Sequence, residues 1–451
     1  VGGRELKWGL VAPTPPHEDR PAAPEGRPGG GFVRIKNMEH HNNSMVPEIQ
    51  SQLFSQALNI QKPWYITRIE FRKEERRLDI WVDFERGARF PCPECGEEDC
   101  PIHDTVEKEW RHLDFFQFRT YIHCRVPRVM CGKCRIRLIE VPWSRKSSGF
   151  TSLFEAMIVL MAGDMQISQI SEKVQETDTR LWRVIKYHVK KAVKELDLSR
   201  VTAICIDETS EKKGHNYITV FADPESRKVI YVCKGKDAYS VGSFFSYLFC
   251  HHGDPRKIQL ACCDMSPAYI KGIEECLENA QITFDKFHVM MIVNKGVDAV
   301  RRFEQKVNGI LKKTRYLWLK NPENLNDRQD AWLHSLKTMN LKTGRAYQMK
   351  LNFQEFYRIE DPALAKKFFG KWYFWVTHSK LNPMIDAAKT LKRHLDGILN
   401  YFESGGTNGF LEAINGTIQS LKRTARGYRN TDNFISMIYL RCGQLEFNLP
   451  T

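Results

Sequence analysis

Two strand-like runs end on acids. "AICIDETS" is apolar until it stops on Asp207 and Glu208, and "KIQLACCDMSP" is apolar until it stops on Asp264. Carboxylates at the ends of buried strands suit a hard cation: Mg²⁺ takes oxygen ligands, keeps several waters and needs only a few side chains. Successive strand residues point to opposite faces, so Asp207 and Glu208 cannot share one site, and Asp207 is assigned to it. A third acid would come from a helix beside the sheet. In "NGFLEAINGTIQSLKRTARGYRN", Leu411, Ile414, Ile418, Leu421 and Ala425 make an apolar stripe at helical spacing. Glu412, Asn415, Gln419, Lys422 and Arg426 make a second stripe, wholly polar, with the acid at one end and cations at the other. That order suits a carboxylate near metal with phosphate-binding residues further along the helix.

A second metal chemistry is written in sulfur. "CPECG" supplies Cys92 and Cys95, and "CGKC" supplies Cys131 and Cys134. Two such knuckles complete a tetrahedral Zn²⁺ site, and four protein ligands leave no open position, so the zinc is structural. The pattern is a zinc ribbon with a longer spacer than the common form. Cys100, His103 and Cys124 could hold a second metal. Cys205, Cys233, Cys262 and Cys263 lie in apolar runs, where cysteine behaves as a small hydrophobe; this distribution fits a reducing cytoplasm rather than a disulfide framework.

The elements that position these residues can be read in order. Residues 1–60 begin rich in Pro and Gly and read as a disordered or non-native leader, with translation starting near Met38 or Met45. Residues 61–148 carry a β-hairpin, "YITRIEFRKEERRLDIWVDF", and then the ribbon. Residues 149–199 read as a helix-turn-helix, its third helix capped by Thr177 or Asp178. In that helix Leu181, Val184, Ile185, His188, Val189 and Ala192 form the apolar stripe, leaving Arg180, Arg183, Lys186 and Lys190 outside for DNA. Residues 200–289 alternate as β-β-β-α-β-α-β-α with acids at the ends of the first and fourth strands, the order of an RNase-H-like core. Residues 290–402 read as a helical insertion, and residues 403–451 as the last part of the core. The fold class is multidomain, α+β and α/β. In the insertion, most aromatics read as helix packing, while a few near Arg315, Lys371 and Lys380 would stack on or clamp DNA near the cleavage site.

The formal net charge of +14 and a pI of about 9.1 favour a polyanionic partner. No run is long and apolar enough for a transmembrane helix, so no membrane role is expected.

The knuckles, "EWRHLDF", "CIDETSEKKGHNYITVFAD", "DMSPAYIKGI", "FDKFHVM", "TRYLWLKNPENL" and "LKRTARGYRN" closely resemble bacterial insertion-sequence transposases of the ISL-three family, from about residue 60 to 449. The resemblance implies a DDE transposase in which Asp207, Asp264 and Glu412 are the catalytic acids. The family usually reads Glu-Gly-x-Asn at the last of these; here Ala413 stands in the glycine position. "FDKFH" places Asp285 and His288 near the site as supporting residues, as Asn415 is in the last segment. Lys422, Arg423, Arg426 and Arg429 are the expected DNA contacts of "LKRTARGYRN".

Two Mg²⁺ ions, with Mn²⁺ as a substitute, would serve phosphodiester cleavage at the element's ends and joining of the 3′-hydroxyls to target. Double-stranded DNA is the implied partner, a homodimer or larger assembly the implied state, and the bacterial cytoplasm at the nucleoid the implied location. The competing reading is a decayed or domesticated transposase acting as a zinc-ribbon and helix-turn-helix regulator.

Overall fold

Alternation sets the first sheet. In a computed structural model, which describes residues 48–210, 217–404 and 409–450, the expected hairpin forms as β1 (Trp64–Arg72) and β2 (Arg77–Phe84). β3 (Ile102–Arg111) pairs antiparallel with β4 (Arg119–Cys131), which lies parallel to β2, and β5 (Arg135–Leu138) closes on the end of β4. Leu78, Ile80, Ile122 and Val126 are buried on this sheet. Helix α1 (Glu48–Ala57) joins their core through Phe54, whose ring centroid lies 5.3 Å from that of Phe115. Residues 48–60, expected to belong to the leader, are instead part of this core, because Phe54 and Ile60 bury apolar surface against it. Residues 1–47, with the expected start sites Met38 and Met45, lie outside the described residues.

The next three helices are α2 (Ser152–Asp164), α3 (Ile167–Val174) and α4 (Asp178–Lys194). Thr151 caps α2 by accepting from the Phe154 N–H, and its hydroxyl also lies 2.9 Å from Nδ1 of His112 at the end of the ribbon sheet. Burial, with the nearby Arg111 charge, lowers the His112 pKa from 6.5 to about 4. The fold thus keeps His112 neutral while the unfolded chain would protonate it near 6.5, so stability present above that pH drains away as pH falls towards 4. The melting temperature of the wild type is expected to drop further over this window than that of His112→Gln. Parallel curves would exclude the joint as an acid-sensitive point.

The second sheet holds β6 (Ala203–Ser210), β7 (Tyr217–Asp223), β8 (Lys228–Lys234), β9 (Leu260–Cys263) and β10 (Gln281–Phe284) in the order β10-β9-β6-β7-β8. β6, β7 and β8 form an antiparallel meander, and β9 and β10 add parallel to β6. The crossovers are helical: α5 (Ala238–Cys250) and α6 (Pro267–Cys276), followed after β10 by α7 (Lys286–Gln305). Both faces are buried. Ile204, Ile206, Ala261 and Cys263 share a core with α5, α6, α7 and the insertion. Cys205, Val220 and Cys262 share another with α2, α3 and α4 and with α14 (Gly409–Thr424) and α15 (Thr431–Cys442). The three helices expected as a helix-turn-helix thus share a core with the second sheet.

The insertion comprises α8 (Arg315–Leu319), α9 (Asp327–Lys337), α10 (Lys342–Phe356), α11 (Pro362–Thr377), α12 (Asn382–Arg393) and α13 (Leu395–Ser404). Helix α7 runs unbroken through residue 290, so the boundary expected there falls inside a helix of the core. Trp318, Tyr347, Phe353 and Trp372 are buried, which confirms helix packing as the role of these aromatics. Lys350 is buried too; its ammonium donates to the Leu319 and Lys320 carbonyls at 2.7 and 3.1 Å, closing the end of α8. The chain then returns to the sheet edge, where Asn400 donates to the Ile282 carbonyl at 2.8 Å. A Cβ on Gly397 would lie 2.3 Å from the Phe284 ring, so only glycine lets α13 approach the end of β10 this closely. Among the described residues no helix is long and apolar enough to cross a membrane.

Candidate active site and zinc centre

Register gathers the acids. Cys205 pairs with Cys262, and Cys262 with Thr283, across β6, β9 and β10. Two residues further along each strand stand Asp207, Asp264 and Asp285, in one row and, by the pleat, on one face. The Asp285 N–H donating to the Cys263 carbonyl at 3.2 Å carries the ladder to that row. Each carboxylate is pinned by a local backbone donor: Asp207 accepts from Glu208 at 2.7 Å, Asp264 from Ser266 at 2.9 Å and Asp285 from Phe287 at 2.8 Å. Glu208 falls on the other face, where its carboxylate lies 3.7 Å from the Lys236 ammonium.

Helix α14 lies along β6 on the face of the row. Ile414 and Ile418 are buried beneath it. Its polar stripe meets the strand residue by residue: Asn415 donates to Asp207, Gln419 to the Thr209 hydroxyl at 2.6 Å, and Lys422 to the Ser210 carbonyl at 2.6 Å. Two residues of strand rise about 6.6 Å and four of helix about 6 Å, which is why the contacts keep step. Glu412 sits on the same helix one turn before Asn415; its side chain lies outside the described residues. Ala413 is exposed, so its methyl group meets no obstacle and suits a helix better than glycine would.

The charges in the row act on one another. Burial raises the Asp207 pKa, and the Asp285 charge adds to it, against His288, the Glu208 N–H and Asn415. Burial works against the His288 imidazolium, yet the Asp285 contact and the charges of Asp207, Asp285 and Asp264 raise its pKa. His288 Nδ1 lies 3.4 Å from Asp285 and is buried without a hydrogen bond. Crowded carboxylates are what a divalent cation would relieve, and the all-oxygen acid set suits Mg²⁺ or Mn²⁺ better than Zn²⁺. Neighbouring strands are about 4.8 Å apart, so Asp207 and Asp285 stand two spacings from each other.

The sulfur site is closed. The thiols of Cys92, Cys95, Cys131 and Cys134 all lie within 4.8 Å of one another, with Cys92 and Cys131 buried. The N–H groups of Cys95 and Glu94 lower the Cys92 pKa to about 7, favouring the thiolate that zinc needs. Four converging thiols are consistent with structural zinc. The second metal site is not assembled. Cys124 pairs with Lys108, whereas the ladder pairs Ile102, beside His103, with Val129, so Cys124 and His103 are about 16 Å apart along the sheet. Sequence reasoning missed a different cluster, Asp79, Glu109 and His123, brought together only by the pairing of β2, β4 and β3. Arg77 reaches both acids at 2.7 Å and already stands where a cation would.

The expected DNA residues divide. Arg180 is half-exposed but engaged, 2.5 Å from Glu176 and 4.2 Å over the Phe150 ring. Arg183 and Lys190 are exposed on α4, and Lys186 is half-buried. His188, expected in the apolar stripe, donates or accepts at 2.8 Å with the buried Glu155. Lys422 is spent on β6, while Arg423, Arg426 and Arg429 are exposed around the turn from α14 to α15. A cleft of about 820 Å³ separates that turn from the first turn of α4, with Trp182, Tyr428, Arg429 and Arg441 in its walls. Lys371 and Lys380 are exposed. Arg315 is exposed near Asp298, some 13 residues along α7 and so about 20 Å from Asp285, not beside the row of acids.

Comparison with known proteins agrees with this anatomy. Residues 204–438 match the DDE family of ISL3 described as "Transposase". Residues 88–134 match the zinc-finger of transposase IS204/IS1001/IS1096/IS1165, and residues 139–189 the helix-turn-helix domain of transposase family ISL3. The transposase for insertion sequence element IS1001 of Bordetella parapertussis is 27% identical over 383 residues, covering 83% of this chain and 94% of the relative. The transposase for insertion sequence element IS1557 of Mycobacterium tuberculosis (strain CDC 1551 / Oshkosh) is 25% identical over 441 residues, covering 88% and 97%.

Proposed function

The chain belongs to transposase family ISL3, and from that premise we propose that it binds the inverted-repeat ends of its own insertion sequence, hydrolyses them and joins the freed 3′-hydroxyls to target DNA. The observation that carries this reading is the row of Asp207, Asp264 and Asp285 with α14 laid against it, since that is where Glu412 would add its carboxylate.

In this reading Asp207, Asp264 and Glu412 hold the divalent metal, Mg²⁺ or Mn²⁺. When bound, the metal activates the attacking oxygen and offsets the charge that develops on the phosphate. Asn415 orients Asp207 by donating to its second oxygen, and His288 faces the second oxygen of Asp285. In the first step a water oxygen bonds to phosphorus as the phosphorus–O3′ bond breaks, and the 3′-oxygen leaves with a proton. In the second step that 3′-hydroxyl attacks a target phosphate, and the target's own 3′-oxygen leaves. No covalent bond to the protein is needed. Arg183, Lys190, Arg423, Arg426 and Arg429 neutralise phosphates of the end DNA. Pairing of two ends would require a homodimer or larger assembly, working at the nucleoid in the cytoplasm.

The experiment is a supercoiled donor plasmid carrying the DNA that flanks this reading frame, incubated with Mg²⁺ or Mn²⁺. Cut ends and joined products are expected. Binding without cleavage would favour the regulator, and cleavage without joining a nuclease.

A further inference from the structure

Helix α7 begins at the acids and ends in a cationic tip. Asp285 caps its first turn, and its 20 residues carry the chain about 30 Å away. There the surface shows Arg302, Lys306, Lys312, Lys313 and Arg315, with Phe303 63% and Tyr316 63% exposed among them. The nearby acids answer only the arginines of this patch. Glu304 is turned inward, accepting from the Lys342 and Thr343 N–H groups at 2.9 and 2.7 Å to cap α10. Asp298 is engaged by Arg301 at 2.7 Å and shared with Arg302 and Arg315 at 3.5 Å. Lys306, Lys312 and Lys313 have no ion pair among the described residues.

The tip is also stiff. Leu311, Thr314, Leu317 and Trp318 are buried beneath it, and the Trp318 indole donates to the Thr314 hydroxyl at 3.1 Å. Lys313 is held at φ 63°, a left-handed conformation that lysine seldom adopts. A second copy of the chain is a poor occupant, because a two-fold interface would set this cationic patch against itself. A duplex, with one charge per about 1.7 Å of axis, is a good one, and the exposed rings can lie against sugars and base edges.

We propose that this tip is a second DNA-gripping surface, which holds duplex about six to nine base pairs from the bond cut at Asp207 and Asp264; the distance is the 20 to 30 Å along α7 divided by the duplex rise of about 3.4 Å. The proposal rests on the transposase reading, and goes beyond it in giving the insertion a fixed hold on DNA remote from the chemistry.

The test uses the full chain and a 5-iododeoxyuridine-containing duplex of the element's end, together with the triple variant Lys306→Ala, Lys312→Ala, Lys313→Ala. Loss of three phosphate contacts is expected to reduce the slope of log K against log salt by about 2 to 3. The difference from wild type should vanish once duplexes are trimmed, from one side, to fewer than about six base pairs beyond the bond. On the wild-type protein, cross-links should map to residues 302–316. An unchanged slope with active cleavage overturns the tip and leaves the transposase reading standing. A changed slope with a wild type that never cleaves does the reverse. A variant that loses self-association while keeping its slope makes the tip a contact between copies and overturns the proposal. Should the variant melt early, the wild-type cross-links decide: labels that map only elsewhere overturn it.

Discussion

Asp207→Asn is expected to lower strand cleavage by about 10³-fold or more while DNA binding, zinc content and melting temperature stay at wild-type values or rise. The substitution keeps the shape of the side chain and an oxygen to accept the Glu208 N–H. It removes one charge from a row that burial and Asp285 already make hard to ionise. An acid whose folded pKa is raised costs stability at any pH above that value, so a neutral amide relieves the fold even as it disables metal binding. That separation is diagnostic, because loss of structure would lower both activity and stability. Asp264→Asn and Glu412→Gln should behave alike. Asp285→Asn should cost less, since Asp285 supports the site through His288 and is not one of the three acids assigned to the metal. Normal cutting by Asp207→Asn would remove this residue from the site.

The largest effect on stability should come from the thiol cluster. Cys131→Ser is expected to abolish stoichiometric zinc and to destabilise the ribbon by about 5 kcal/mol or more, because structural zinc in small domains contributes about 10–16 kcal/mol of apparent binding energy. Cys131 serves twice: it closes the cluster and ends β4, where it pairs with Arg135 of β5. With the metal gone, the buried Cys92 and Cys131 lose their common anchor while Val129, Ile80 and Trp110 keep a core of their own. The expected product is therefore a ribbon frayed at its knuckles rather than a wholly unfolded domain. Protease cutting near residues 92–100 and 131–138, matched by zinc release to a chelator, would report it. Full zinc content in Cys131→Ser would move the metal elsewhere, and the ion-paired Asp79, Glu109 and His123 would have to be reconsidered.

Much of this was legible in the chain. The two C-x-x-C knuckles, the strand order and Asp207 with Asp264 are local signals: each depends on a few adjacent residues, and the pleat then decides the facing. The polar stripe of α14 was legible as a stripe, although that it would stitch to β6 through Asn415, Gln419 and Lys422 depends on a strand some 210 positions away. Charge was the poorest guide. Arg180 and Lys422 look like phosphate ligands in sequence, but Arg180 is paired with Glu176 four residues earlier, and Lys422 is turned inward by the Ser210 carbonyl, which no local pattern announces. The tip at Lys312 and Lys313 escaped notice for the opposite reason, since its meaning comes from the length of α7 and from the inward turn of Glu304. In and just after α1, the buried Phe54 and Ile60 outweighed a polar context.

The continuous packing of α2, α3 and α4 into the catalytic sheet has a geometric corollary. A reading head on a tether could reach a cut at many offsets; one built into the same solid as the blade works as a gauge, with a single permitted gap. Each added base pair would carry the scissile bond about 3.4 Å along and about a tenth of a turn around the duplex, out of register with the acids. If the proposed end recognition holds, an element served by such a protein could not drift in the spacing of its ends without compensating change in the enzyme, and the two would evolve as lock and key cut from one block.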